Sequence, residues 1–277
     1  MTTIKKYFKE ELQWRNLNLE HSRPADFYLS VWQSNRSTAP LLVLRTLLFL
    51  ASLGITVTSI VLYIINSWVG FWWIYLTHWG LSVLTLATGF SVAISARCYF
   101  YGPISGEYRL PWYIKVYWVL FNIAVPLSFL ITLFYWTVLF EANIEEELNH
   151  GHDVAVHGLN SLIMFILLIT SSHPSRILHI YQPLVFAVVY FLFTLFYYLG
   201  GGVNRDGQPF VYPVLNWNKA GQTVGVGVVT GLLLILLYIL VVSIALARDA
   251  VSRRFVKPRT SEPPEAVPLR QQGQSAV

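Results

Sequence analysis

The residues of this chain best suited to carry out a reaction are a threonine and a histidine, Thr77 and His157, each near the start of a long apolar run. A threonine hydroxyl is a weak nucleophile at neutral pH and attacks a carbonyl only when a base takes its proton, a task suited to a histidine within hydrogen-bond reach. Thr77 attacking with His157 as base is a chemistry of ester cleavage. Asp153, one helical turn before His157, would orient the imidazole if the helix extends that far. Asn160, Ser161 and Tyr212 are alternative donors for an oxyanion, and nothing in the sequence chooses among them. The competing reading is structural: threonines in membrane helices commonly bond their own preceding turn or a neighbouring helix, and histidines near an interface are commonly hydrated or paired. His78 follows Thr77 and points about 100° away from it on a helix, as expected of a packing or proton-relay group.

Metal chemistry has weaker support. Glu147, His150, His152, Asp153 and His157 are zinc-ligand types, but their spacing is no recognised set and they straddle a loop and a helix start, so no metal and no other cofactor is expected. Cys98 is the single cysteine, which excludes a disulfide framework and a cysteine-rich zinc site.

The elements that must position these residues follow from composition. Of 277 residues, 55% are hydrophobic and only 12% charged, an apolar surplus that a water-soluble domain of this length could not hide. Six apolar runs stand out, at 41–65, 71–96, 113–140, 154–171, 183–199 and 222–247. They lack the strict alternation of barrel strands, and only helices or closed barrels satisfy the backbone in hydrocarbon, so the fold class is all-α: a polytopic helix bundle of about six transmembrane helices. The fourth and fifth runs are short and span a lipid core of about 30 Å only if helix extends into their flanks. In this layout Thr77 lies about 9 Å below the start of the second helix and His157 about 4–5 Å below the start of the fourth, on the same side of the membrane.

Positive charge orients the bundle. Of the 19 lysines and arginines only Arg205 and Lys219 fall on the far side; Arg45 lies inside the first helix, and the other 16 lie on the near side: before the first run, between the second run and the first turn of the third, between the fourth and fifth, and after the sixth. That side is assigned to the cytoplasm, with both termini. Arg45, a few residues inside the first helix, is expected to snorkel to the headgroups. The opposite side carries an acidic loop through Glu141 and Glu145–Glu147. Residues 1–39 read as a cytoplasmic N-terminal segment, 40–247 as the transmembrane domain and 248–277 as a disordered cytoplasmic tail. The basic residues flank apolar runs, which points to a lipid bilayer as partner and away from nucleic acid.

Trp14-Arg-Asn-Leu-Asn-Leu19 and Val31-Trp-Gln-Ser-Asn-Arg36 resemble the rolling stone family of multi-pass membrane proteins, a family tied to myoblast fusion. From the second helix onward the chain also resembles the androgen-induced and androgen-dependent membrane hydrolases, which cleave fatty acid esters of hydroxy fatty acids. Tyr75-Leu-Thr77 resembles their threonine site and His157-Gly158, followed by Ser161 and Phe165, their histidine site. Ser172-His173-Pro174-Ser175-Arg176 and Val211-Tyr212-Pro213 match further motifs, whereas Val156 stands where those hydrolases often carry asparagine. The resemblance implies a nucleophilic Thr77, a basic His157 and a lipid ester as substrate; the home membrane is expected to be the plasma membrane or the endoplasmic reticulum, and nothing in the sequence chooses between them. The alternative it implies is a non-enzymatic membrane protein supporting cell fusion or organising partners.

Overall fold

The computed structural model describes residues 8–105, 109–139 and 150–256. Six helices are long and apolar enough to cross a membrane: α1 (Ala39–Ile65), α2 (Leu76–Tyr101), α3 (Trp112–Leu139), α4 (Gly151–Thr170), α5 (Ile177–Leu199) and α6 (Trp217–Phe255). The expected all-helical bundle is therefore present, and α4 and α5 do extend beyond their short apolar runs. The acidic residues 141–147 and the tail from 257 lie outside the described residues.

Boundaries moved where local chemistry overrode hydropathy. After α1 the chain turns through Ser67, at φ 61, into a single helical turn, Val69–Trp72, and Tyr75 is extended at φ −90 and ψ 135. The second span thus begins at Leu76 rather than near Phe71, and Thr77 sits in its first turn instead of about 9 Å down. At the other end of the chain, α6 continues as helix to Phe255, so residues 248–255 belong to the helix and not to a disordered tail.

The most buried span is α3, which packs on α2, α4, α5 and α6, while α1 lies against α2. Water is absent from a bilayer core, so small hydroxyls join the helices there. Ser52 bonds Thr88 at 2.8 Å and Thr56 bonds Thr85 at 2.8 Å between α1 and α2. Asn122 of α3 donates to Gln182 of α5 at 3.0 Å.

The described part of the N-terminal segment closes one end of the bundle. Phe27, fully buried, packs edge-on against Trp118 and stacks on His173. Arg176 donates to Asn16 Oδ1 and to the Glu20 carbonyl, Lys115 pairs with Glu20 at 2.9 Å, and Trp32 Nε1 donates to the Ile169 carbonyl at 2.7 Å. Arg45 does not snorkel. It is 0% exposed and donates to the Phe27 carbonyl at 2.8 Å, the Ser91 carbonyl at 3.3 Å and Ser95 Oγ at 2.8 Å. The docked segment supplies one acceptor inside the bundle and α2 two more, all to Nη1, so the guanidinium is held there and does not reach for headgroups. Arg248 of α6 is likewise buried at this end and donates to the Leu168 and His173 carbonyls.

Candidate functional site

At the other end of the bundle two irregular helical turns face each other. Residues Tyr135–Leu139 of α3 and Ala155–Leu159 of α4 are single π-helical turns, in which one extra residue per turn re-aims the side chains that follow. The first presents Tyr135 and the second His157, and the two rings stack at 3.5 Å between centroids and 4° between planes. Asp153, one turn before His157, accepts from His157 Nδ1 at 2.9 Å and from the Tyr135 hydroxyl at 2.6 Å, both at Oδ1. The bond from Asp153 to His157 that the spacing suggested is thus made, and Tyr135 joins it as a third member.

A carboxylate oxygen accepts, so His157 donates to Asp153 through Nδ1, and Nε2 is the nitrogen left to exchange a proton with a substrate. Nε2 is buried and has no hydrogen-bond partner among the described residues. A neutral imidazole oriented by a carboxylate through Nδ1, with Nε2 unengaged, is the arrangement of a general base.

Tyr135 also forms part of the wall of an apolar cavity of about 290 Å³, lined by α2, α3, α5, α6 and the segment 212–215. Thr77 lies on that wall, 4% exposed, and its side chain makes no hydrogen bond among the described residues. Tyr212 is there too, its hydroxyl accepting from the Leu76 amide at 3.0 Å. That amide is one of the unpaired donors in the first turn of α2, so Tyr212 caps the helix that carries Thr77. His157 is not a wall residue, and no hydrogen bond joins it to Thr77. Tyr135 is the connection, its ring against His157 and its flank on the cavity.

The other candidates separate. Asn160 and Ser161 are committed to packing α3 on α4: Thr132 bonds Asn160 Oδ1 at 3.0 Å and Ser161 Oγ at 2.6 Å, and Ser161 donates to the Ser128 carbonyl at 2.8 Å. Tyr212 alone of the three suggested donors reaches the cavity. His78 is a packing group, stacked on Trp72 at 4.7 Å and donating through Nδ1 to the Trp72 carbonyl at 2.7 Å. Among the described residues no three histidine, cysteine or acidic side chains are grouped to hold a metal; Glu147 and the side chain of His150 lie outside them. Tyr135 was not foreseen, because π turns follow from packing and leave no spacing signature.

Six apolar helices around a buried polar cluster define a multi-pass helical membrane protein. The family model for protein rolling stone matches residues 1–261, and the chain belongs to that family. It is 29% identical over 226 residues to protein rolling stone of Drosophila melanogaster, covering 78% of this chain and 81% of that one. No solved structure matches the chain.

Proposed function

We propose that this rolling stone family protein hydrolyses lipid esters within the membrane, with Thr77 as nucleophile and His157 as base and then acid. The observation that carries the reading is the Tyr135 bridge. It joins an apolar cavity bearing the Thr77 hydroxyl to a buried Asp153–His157 pair whose Nε2 is unengaged.

In this reading Thr77 Oγ1 attacks the ester carbonyl and its proton passes to His157 Nε2. Collapse of the tetrahedral species breaks the ester bond, and His157 returns the proton to the departing alkoxide. Water, deprotonated by the same histidine, then releases the acid and restores Thr77. Substrate binding must bring Oγ1 and Nε2 within direct or one-water contact, since hydrogen bonds of this kind often tighten only in the complex. Asp153 positions the histidine and favours its charged form during transfer. The apolar wall suits an alkyl chain of a lipid ester, and fatty acid esters of hydroxy fatty acids are the substrate class that the motif resemblance suggests.

The test is turnover of such an ester by membranes carrying wild type, Thr77→Ala or His157→Ala at matched expression. Hydrolysis by the wild type that falls about 100-fold or more in both variants is the expected result. No turnover above empty membranes removes the reading and leaves the non-enzymatic role in cell fusion or partner organisation.

A further inference from the structure

Three wall residues of the cavity are also exposed on the outer surface of their helices: Val188 of α5 at 56%, and Val224 and Val228 of α6 at 47% and 58%. On a membrane-spanning helix such positions face lipid. Side chains that belong at once to the cavity wall and to the lipid-facing surface mark a mouth, and this one lies between α5 and α6. Apart from Thr230 on α6, the polar wall residues gather at one end, where Tyr190 donates to the Ile74 carbonyl beside Thr77, Tyr135 and Tyr212. From Leu139 to Leu127 the wall follows α3 away from that end for about 18 Å at the helical rise.

Two glycines on α6 make this space. A Cβ at Gly227 would stand 2.7 Å from the Phe191 ring, so glycine there lets Phe191 of α5 lie against the α6 backbone. Gly231 also lines the cavity, yet a Cβ there would meet nothing within 4 Å. Helix packing does not require glycine at 231, and mid-helix glycine weakens a helix by about 1 kcal/mol relative to alanine. What its missing side chain leaves is volume. At about 290 Å³ the cavity is at the low end of ligand sites, suited to one slender ligand.

We propose that the cavity takes a single alkyl chain of a bilayer lipid, admitted sideways between α5 and α6, with Gly231 providing the room and Gly227 seating Phe191 at the rim. The hydrolase reading bears only on what happens at the polar end; occupancy by the chain stands separately from turnover.

The experiment uses the full-length protein in phosphatidylcholine vesicles containing a trace of fatty acid with a photoactivatable diazirine in mid-chain. Crosslinks are mapped by peptide mass spectrometry. In the wild type, labelling is expected at interior wall positions such as Leu127 and Leu234, and it is expected to saturate and be competed by unlabelled fatty acid. Gly231→Leu puts a side chain into the space from a Cβ that meets nothing within 4 Å, and should cut that interior labelling about tenfold or more, the factor for displacing two buried methylenes. Gly225→Leu is the control, because Gly225 is exposed on the same helix, off the cavity wall, with nothing within 4 Å of an added Cβ. It should leave labelling unchanged. Thr77→Ala should keep the label while losing turnover, so a protein that binds the chain but hydrolyses nothing fails only the enzymatic reading. Labelling confined to lipid-facing positions, not competed, or equal in Gly231→Leu and wild type overturns the portal.

Discussion

Asp153 carries two hydrogen bonds at one oxygen inside a site it shares with a fully buried histidine, so its removal strands partners on both sides. Asp153→Asn preserves the shape but replaces one carboxylate oxygen with a donor and unsettles the tautomer of His157. Turnover is expected to fall about 100-fold or more, with the protein still folded in detergent. Tyr135→Phe keeps the ring and deletes the hydroxyl that bonds Asp153. It should cost about 0.5–1.5 kcal/mol of stability and reduce turnover less than His157→Ala does; an equal loss would make Tyr135 itself part of the chemistry. His173 tests a different physical effect. It is 1% exposed among Phe27, Tyr117 and Phe121, and neither ring nitrogen has a hydrogen-bond partner among the described residues. Burial first, then the Arg248 and Arg45 guanidiniums and His21, hold its imidazole well below the ordinary histidine value of 6.5. The unfolded chain takes up a proton near pH 6.5 that the folded protein refuses. Each pH unit below that point therefore costs about 1.4 kcal/mol, until the folded value is reached. The Tm advantage of His173→Phe over wild type should widen as pH falls from about 7 to 5; parallel curves would contradict this account.

The elements are held by a small set of polar crossings, the firmest of which is Arg45. Its Nη1 ties the N-terminal segment, through the Phe27 carbonyl, to α1 and to Ser91 and Ser95 of α2. Arg45→Met keeps the length of the side chain and removes every donor, and is expected to destabilise by about 1.5–3 kcal/mol, the range for hydrogen bonds to a charged group. Arg45→Lys should recover part of that loss, because all three bonds leave from the single nitrogen Nη1 and an ammonium also carries three donors. Limited proteolysis of membranes is the check: cleavage between residues 8 and 38 should rise in both variants, and unchanged protection would show that the segment docks without Arg45. The boundaries of the elements were legible where hydropathy alone decides them, as in α1 and the apolar stretch of α3. They were not legible at Phe71, where aromatic residues make a separate turn, or past Ala247, where Arg248 is drawn inside by the Leu168 and His173 carbonyls.

At the scale of the molecule, the basic residues gather at the end closed by the N-terminal segment, where α6 also ends, and that end is expected to face the cytoplasm. Epitope tags at either terminus should then be accessible only after cells are permeabilised, while a glycan acceptor introduced at 204–208 between α5 and α6 should be glycosylated; the opposite pattern would reverse the bundle. The approximate number of helices, their approximate positions and the charge asymmetry could be derived from residue types and spacing, and the spacing allowed Asp153 to reach His157 if helix extended that far, because hydrophobic length, loop charge and helical periodicity are local properties. Tertiary structure decided the rest. The two π turns that stack Tyr135 on His157, the cavity that holds Thr77 and Tyr212 apart from Asn160 and Ser161, and the burial of Arg45 all depend on which helix faces which. Six apolar runs of similar composition leave that choice to side-chain packing and to the few hydrogen bonds that a membrane interior requires to be satisfied.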